Sequence, residues 1–404
     1  MNARTRALIA AALVLGIAAG PAVAAEAAPD RPAADRTAVD RGPVPRPVVT
    51  TPPNAAKLRE AIAGLGADHP YATSALVRVS GSAGSWRGSS GVAEVRTERR
   101  AVEQARFRVG SVTKTFTAAV VLQLAAEGRV ELDRPVRHYL PETIPAAYEK
   151  VTVRQLLNYT SGLPSADGPG DAFASQWEHR FDVVDPRAQI ADAVGKEREF
   201  EPGSAQHYTN INYTVLGVLI ERLTGTAYET AVARRIFEPL GLRHTSLPGR
   251  GQVRIPGPHH RGYEAVPRPD GSVELRDVTV WNQSDRWAAG DLISTTADLE
   301  RFTRALFAGR VVPRPQLEEM FTVPLVKDFV SGKDAQRTAG LERMAFEGGP
   351  VLWGKTGGRP GYSTGIGGVR DGSRIVVYSV TSKNAKSEQP NPVTYGIAKA
   401  AFAR

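Results

Sequence analysis

The sequence predicts an α+β fold in which one interrupted domain carries an inserted all-helical domain. Two observations indicate this. Strand-like segments occur near residues 74–79 and 90–95 and return only after residue 350, whereas the long stretch between them has the periodicity of helices and loops. Because early and late strands must share one sheet, the helical stretch is an insertion.

Each element follows from its local pattern. An amphipathic helix is predicted first, over 53–65, followed by a hairpin of the two early strands and by a helix that starts at Ser111. The insertion has predicted helices at 155–159, 187–194, 212–223 and 228–237. Late strands are expected near 351–353, 365–369 and 375–381, with a closing helix over 392–402. The catalytic region is thus 56–404, with an α/β domain of about 56–120 plus 285–404 and a helical domain of about 121–284.

The first 55 residues are predicted to lie outside the folded region. A basic start, a short apolar run and small residues up to Ala24 have the pattern of a secretory signal peptide over residues 1–24. The apolar run is short for a membrane span, so an uncleaved anchor is the weaker alternative. Residues 25–55 are rich in Pro and Ala and predict a disordered linker. We expect a secreted protein, free or cell-wall associated, without a stable membrane anchor.

Composition argues against several classes of function. The formal charge of +9 falls to about +7 once Arg4 and Arg6 leave with the signal peptide, and the basic residues form no nucleic-acid footprint. There is no cysteine, which excludes disulfides and thiolate chemistry. His259-His260 has no acidic partner at ligand spacing, so no metal or other cofactor is expected. A monomer is expected.

The most informative segment is Ser111-Val112-Thr113-Lys114, which stands immediately ahead of an apolar helix. Residues three apart lie on the same helix face, so the Lys114 amine would stand beside the Ser111 hydroxyl, as a base beside a nucleophile. A helix start also presents free backbone N–H groups to a developing oxyanion. Alone the pattern is weak, because Ser111 can be a helix cap and Lys114 a solvated charge.

Two further segments carry side chains suited to the same cavity. Tyr208 and Asn210 are two residues apart and would project toward one side of an extended turn, ahead of a periodic helix. Lys355-Thr356-Gly357 lies among small residues that let a ligand approach a strand edge. Singly, Tyr208 can be a half-buried aromatic, Asn210 a cap and Lys355 a surface charge.

Taken together, S-x-x-K, Y-x-N and K-T-G in this order resemble the active-site motifs of the serine penicillin-recognising enzymes. The Y-x-N form makes the chain similar to class C beta-lactamases and secreted D-alanyl-D-alanine carboxypeptidases. Supporting segments extend the resemblance over most of residues 56–404. It implies an antiparallel sheet flanked by helices, an all-helical lobe, and an active site in the cleft between them.

The resemblance also implies residue roles. Ser111 would attack a carbonyl carbon to form an acyl-enzyme that water hydrolyses, and Lys114 or Tyr208 would take the serine proton. Both candidate bases have reference pKa values of about 10, and the sequence leaves the choice open. Asn210 would hold the substrate amide and Lys114, and the backbone N–H groups of Ser111 and Gly358 would form the oxyanion hole. Substrate would also contact the third motif, Lys355, Thr356, Gly357 and Gly358.

Two weaker site predictions come from carboxypeptidases of this kind, which bind the terminal carboxylate of their substrate. Arg343 is the candidate for an arginine upstream of the third motif, with a surface ion pair as the alternative. The hydroxyl residue that follows the glycine of that motif is replaced by Gly358, so its contact to the carboxylate is missing. Phe173 is expected to line the cleft, with a core aromatic as the alternative.

One serine resembles a different kind of nucleophile. Residues 361–365 fit G-x-S-x-G, the nucleophile elbow of α/β-hydrolases, which needs a strand, a sharp turn, a helix and a later histidine. After Ser363 the sequence has strand residues and no histidine. Ser363 is therefore not expected to act in catalysis.

The sequence thus favours a secreted serine D,D-carboxypeptidase that cleaves peptidoglycan stem peptides and is acylated by beta-lactams. A class C-like beta-lactamase or an esterase on the same scaffold is the second hypothesis, because it uses the same residues, and Gly358 favours the esterase slightly. A wall-peptide binder without turnover is the third hypothesis. The presence of Ser111, Lys114 and Tyr208 argues against it, because binding alone needs no nucleophile and base.

Overall fold

The architecture comes from a computed structural model of the chain, which describes residues 49–170, 172–345, 349–385, 387 and 389–403. The predicted signal peptide and most of the predicted linker lie outside these residues. From Val49 onward the chain contacts the folded region: Val49 N donates to Ser373 Oγ over 3.1 Å, and Arg374 donates to the Thr51 carbonyl. Among the described residues, no helix combines the length and apolar character needed to cross a membrane.

A seven-stranded antiparallel sheet forms the centre of the α/β part. Its strands are β1 Ala72–Gly81, β2 Gly84–Glu94, β3 Arg99–Arg100, β4 Glu342–Ala345, β5 Val351–Arg359, β6 Tyr362–Val369 and β7 Arg374–Ser382. Their order across the sheet is β4-β5-β6-β7-β1-β2-β3. Because β1 pairs with β7, with Leu76 opposite Ser379, early and late strands share one sheet, as predicted.

Helices cover both faces of this sheet. The five that matter here are α1 Ala55–Ala61, α2 Thr113–Ala126, α3 Ile211–Thr224, α4 Thr296–Phe307 and α5 Pro392–Ala401. Successive strand side chains point to opposite faces. Val77 of β1 lies in one apolar cluster with residues of α1 and α5. Leu76 lies in the larger core, where Phe116 of α2 stacks on Phe302 of α4 at 3.7 Å between ring centroids. The predicted fold class is confirmed.

The second region consists of helices around α3, which is buried along most of its length. The other α-helices are Val136–Tyr139, Val153–Leu157, Phe173–Glu178, Pro186–Val194, Tyr228–Val232, Glu238–Leu240 and Arg314–Leu317, with a π-helical turn at Ala233–Phe237. At Gly217 of α3 a Cβ would lie 2.6 Å from the Trp287 ring and 2.7 Å from the Ala288 Cβ, so glycine permits these two side chains to pack closely against the helix. The division into two domains at residues 121 and 284 stays a prediction.

The expectation that strands return only late in the chain is wrong. Strands Tyr263–Pro267 and Val273–Asp277 form an antiparallel hairpin within the stretch predicted as helices and loops. At its turn Gly271 has a φ of +83°, and Ser272 N donates to Asp270 Oδ1 over 2.9 Å. The Asp-Gly turn is a hairpin signal. Pro267 at the end of the first strand and Pro269 in the turn instead favour a loop, because proline cannot complete a strand ladder.

Candidate active site

Ser111 lies in a tight turn, Gly110–Val112, that leads directly into α2. The turn depends on Gly110, whose φ of +55° is strained for any residue with a Cβ. A Cβ on Gly110 would also lie 2.6 Å from Gly358 N, so the turn is pressed against β5. The half-buried serine therefore stands at the start of a helix and beside a strand edge.

Lys114 is fully buried and directs its ammonium group to three oxygen atoms. Its Nζ lies 3.2 Å from Ser111 Oγ, 2.7 Å from Asn210 Oδ1 and 2.6 Å from the Ala289 carbonyl. A carbonyl and an amide oxygen can only accept hydrogen bonds. The third tetrahedral position of the amine is therefore directed at the Ser111 hydroxyl, where it can hold either a proton or a lone pair.

Residues 286–292 form the loop that supplies the Ala289 carbonyl, and we call it the Lys114 loop. Threonine hydroxyls of α2 bond to its backbone. Thr117 Oγ1 donates to the Ala288 carbonyl over 2.7 Å, and Thr113 Oγ1 accepts from Leu292 N over 3.0 Å. Ala288 has a φ of +57°, which a non-glycine residue adopts only where its surroundings enforce it. The Lys114 loop thus fixes the position of the Ala289 carbonyl, which orients Lys114.

Tyr208 and Asn210 reach the same cavity from the turn ahead of α3. The Tyr208 ring centroid lies 5.0 Å from Lys114 Nζ and 4.9 Å from Lys355 Nζ, so the phenol stands between two ammonium groups. Its hydroxyl is buried and meets hydrogen-bond geometry with no atom of the described residues. The Ser111 hydroxyl nevertheless lies close enough to lower the pKa of Tyr208, so the phenol is placed to exchange a proton with Ser111 or with a substrate.

The third motif lies on β5, against the Ser111 turn. A Cβ on Gly357 would lie 2.0 Å from the Val109 carbonyl and 2.7 Å from Ser111 N, so only glycine allows this approach. Thr356 and Gly358 follow the same strand, with Gly358 opposite Ser363 of β6. The backbone of Gly358 and that of Ser111 are thereby brought side by side, as an oxyanion hole built from their two N–H groups requires.

The two candidate bases, Lys114 and Tyr208, shift each other's pKa. Burial lowers the pKa of Lys114 to about 8, and Lys355 adds to the lowering against the opposing effect of Tyr208. Burial raises the pKa of Tyr208, but Lys114 and Lys355 outweigh burial and bring it down to about 8, with a small contribution from the Ser111 hydroxyl. Because the two groups interact strongly, they titrate as a pair. One proton can therefore move within this pair near neutral pH.

Two charged residues of the site were missed by the sequence analysis. Glu342 of β4 accepts from Lys355 Nζ over 2.7 Å, and Lys355 is only 3% exposed. Arg337 lies with its guanidinium carbon 5.1 Å from the Tyr208 ring centroid. Both precede the third motif by less than twenty residues. The sequence does indicate that β4 pairs with β5, because β4 is a short segment just upstream of that strand. It does not give the register of this pairing, which is what brings Glu342 close to Lys355.

The two weaker site predictions lie elsewhere. Arg343 sits opposite Trp353 on the edge strand β4. The arginine that the structure places beside Tyr208 is Arg337. Phe173 packs its ring against Trp177 and Trp281, at 6.1 and 6.4 Å between centroids, and in the described part of the chain none of its ring contacts is with a catalytic candidate. These two residues are not brought together with Ser111 by any contact in the described structure.

Two other sequence features lie outside the site. Ser363 is inside β6, which continues as a strand to Val369, whereas a nucleophile elbow requires a helix at this point. His259 bonds through Nδ1 to the Gly257 carbonyl at 2.7 Å. The described residues contain no group of three or more His, Asp or Glu side chains placed to hold a metal ion.

Comparison with known proteins identifies the family of the chain. The chain matches the Beta-lactamase family over residues 58–400. It is similar to Penicillin-binding protein 4* of Bacillus subtilis, with 29% identity over 304 residues that cover 72% of this chain and 64% of that protein. The match thus spans less than two thirds of the length of this curated relative.

Two solved structures resemble the chain over most of its length. A D-stereospecific amidohydrolase from Streptomyces sp. superposes with a TM-score of 0.73 at 34% identity, covering 87% of this chain and 99% of its own. A D-amino acid amidase from Ochrobactrum anthropi SV3 superposes with a TM-score of 0.71 at 26% identity, covering 85% and 97%. The chain belongs to the beta-lactamase family and has the serine beta-lactamase and penicillin-binding-protein fold.

Proposed function

We propose that this protein is a serine hydrolase that cleaves amide bonds on the carboxyl side of D-amino acid residues through an acyl-enzyme on Ser111. The observation that carries the proposal is the Lys114 ammonium group, held by Asn210 and Ala289 so that its remaining position is directed at Ser111 Oγ over 3.2 Å. A nucleophile with a buried, oriented base of lowered pKa is suited to acyl transfer.

The reaction has two steps. Ser111 Oγ adds to the carbonyl carbon while its proton passes to the Lys114–Tyr208 pair, and the oxyanion is held by the N–H groups of Ser111 and Gly358. The C–N bond then breaks, and the pair returns the proton to the leaving amine. Water adds to the acyl-enzyme in the second step and releases the acid. Asn210 and the backbone of β5 align the substrate.

The preference for D-amino acid amides is supported by similarity to the Streptomyces and Ochrobactrum enzymes, whose names state that chirality. A D,D-carboxypeptidase that acts on peptidoglycan stem peptides is the second candidate, supported by relatives named penicillin-binding proteins. Beta-lactamase and esterase activity use the same residues and remain the further alternatives. Secretion by way of residues 1–24, the two-domain division and a monomeric state complete the proposal.

A substrate panel tests it. Purified protein should release ammonia from D-phenylalanine amide faster than from L-phenylalanine amide, and a fluorescent penicillin should label Ser111, as seen by mass spectrometry. Ser111→Ala should abolish turnover and labelling, because no other residue replaces the nucleophile. Ser363→Ala, a serine on the neighbouring strand, should retain both. Turnover that survives Ser111→Ala would exclude this mechanism.

A second pair of measurements separates the two candidates. Faster release of D-alanine from diacetyl-L-lysyl-D-alanyl-D-alanine than of ammonia from D-amino acid amides would favour the carboxypeptidase. Rapid hydrolysis of the penicillin adduct would indicate a beta-lactamase, and turnover of short esters alone would indicate an esterase.

A further inference from the structure

The cation of the third motif already has an anionic partner. Lys355 Nζ donates to Glu342 Oε1 over 2.7 Å, and the lysine is 3% exposed while the Glu342 side chain is 18% exposed. Glu342 lies on β4, whose residues pair with β5, so the carboxylate is part of the sheet and not of a loose loop. One of the three N–H donors of Lys355 is therefore committed to Glu342.

The ion pair between Lys355 and Glu342 continues into a second one. Arg337 Nη1 bonds to Asp328 Oδ2 over 2.9 Å, and its Nε lies 3.8 Å from Glu342 Oε1. Two cations and two anions thus alternate from Asp328 through Arg337 and Glu342 to Lys355. All four side chains are less than one fifth exposed. In such a partly desolvated group, an additional carboxylate gains little attraction to the cations and is repelled by Glu342.

The route of the proton to the leaving nitrogen shows where Lys355 and Glu342 lie relative to the substrate. The leaving nitrogen takes its proton from the Lys114–Tyr208 pair, so the leaving group must lie on the Tyr208 side of Ser111. Lys355 Nζ lies 4.9 Å from the Tyr208 ring centroid on that side. Along β5, Lys355 precedes the oxyanion donor Gly358 by three residues, roughly 10 Å. The Glu342–Lys355 ion pair therefore faces the leaving group.

We propose that Glu342 makes this site select substrates whose leaving group is neutral and discriminate against those whose leaving group carries a carboxylate. The proposal rests on the proposed function and narrows its substrate class to amides and esters without a terminal carboxylate on the leaving side. Glu342 acts through Lys355 and makes no bond to the reacting atoms. It is a specificity residue, and the hydrolysis itself proceeds as described above.

The test compares two substrates that differ only in that charge. These are diacetyl-L-lysyl-D-alanyl-D-alanine and the same peptide with a C-terminal carboxamide. Cleavage is measured as release of D-alanine or of D-alaninamide, counted apart from any ammonia released from the carboxamide itself. The wild-type protein should cleave the carboxamide with a kcat/KM at least about tenfold higher. Glu342→Gln, which removes the charge and keeps the shape, should reduce that ratio about tenfold or reverse it, because Lys355 becomes available to the carboxylate.

Asp328→Asn is the matched control, since it removes a carboxylate that bonds to Arg337 and not to Lys355. It should keep a ratio close to that of the wild type. Turnover of p-nitrophenyl acetate, a neutral ester, shows whether each variant retains its catalytic site. A wild-type ratio of one or below, or an unchanged ratio in a Glu342→Gln protein that still cleaves the ester, would overturn the proposal.

A measurement on the wild type alone covers the case in which Glu342→Gln does not fold. Acylation of Ser111 by benzylpenicillin methyl ester should be faster than by benzylpenicillin, whose carboxylate adjoins the leaving nitrogen. Equal rates, or a faster free acid, would contradict the role of Glu342. Failure of the proposed function looks different: neither peptide would be cleaved and neither penicillin would acylate Ser111.

Discussion

Two buried lysines flank Tyr208 at nearly equal distances, and their surroundings are opposite. Lys114 faces a hydroxyl, an amide oxygen and a backbone carbonyl, and burial lowers its pKa to about 8. For Lys355 burial also acts to lower the pKa, but the Glu342 carboxylate outweighs it and the pKa is raised. The same residue type at the same depth is thus a candidate base at one position and a fixed cation at the other.

This difference explains how one site can contain both a lysine that acts as a base and a lysine that stays charged. Neutral oxygen partners orient an amine without stabilising its charged form as strongly as a carboxylate does. A carboxylate partner keeps the amine protonated, so its charge lowers the pKa of Tyr208 at all working pH values. The pair Lys114–Tyr208 is therefore tuned by a third group, Lys355, which itself does not need to exchange a proton.

The largest effect is expected from replacing Lys114. Lys114→Met removes the amine and keeps most of the volume, and it should lower kcat/KM for a D-amino acid amide about 10²- to 10⁴-fold, the usual contribution of an acid–base group. Lys355→Met should cost less for a neutral substrate and should act mainly on KM and on the pH profile. Equal losses of kcat in the two variants, measured at one pH, would remove the distinction between a base and a fixed cation.

An intermediate effect is expected where the Lys114 loop is joined to the sheet. Arg359 follows Gly358 on β5, and its Nη2 bonds to Asp285 Oδ1, immediately before that loop, over 3.0 Å. Arg359 is 3% exposed and Asp285 is 29% exposed, so Arg359→Gln breaks a partly buried ion pair that joins the strand of Gly358 to the loop that holds Lys114. We expect kcat to fall about tenfold with little change in KM.

The control for Arg359→Gln is Arg78→Gln. Arg78 bonds to Glu300 over 3.1 Å and joins β1 to α4, so it is also an ion pair between a strand and another element, away from the site. The melting temperature of both variants should be measured together with kcat. A loss of kcat in Arg78→Gln that matches the loss in Arg359→Gln would indicate a general loss of stability instead of a positioning role.

These comparisons also show what sequence alone could supply. Ser111, Lys114, Tyr208, Asn210 and Lys355 belong to short local motifs, whose spacing along a helix or turn already states which side chains share a face. The structure brings all five to one cavity. Likewise, the position of strands at both ends of the chain required a shared sheet, and β1 pairs with β7.

Glu342 and Arg359, whose contacts adjust the charge and position of the motif residues, belong to no local motif. Glu342 reaches Lys355 only through the register of β4 on β5, and Arg359 reaches Asp285 across 74 residues of chain. Neither contact has a local pattern, because strand register depends on the whole sheet. For the same reason the sequence does not distinguish Arg343 from neighbouring charges; the structure places Arg337 beside Tyr208, and a role of Arg343 in binding a substrate carboxylate stays a prediction.

The smallest change in maximal rate, and the sharpest comparison of the two lysines, comes from the pH profile of Glu342→Gln. The base must be deprotonated to act, so kcat/KM of the wild type should fall as pH drops below the shared pKa of about 8. Glu342 raises the pKa of Tyr208, and the charge of Lys355 lowers it. Removing the carboxylate takes away its direct effect on Tyr208, which is to raise the pKa of the phenol, so the acid limb should move to lower pH. Asp328→Asn, farther from Tyr208, should move it less, and a shift to higher pH in Glu342→Gln would contradict the assignment of Lys355 as the fixed cation.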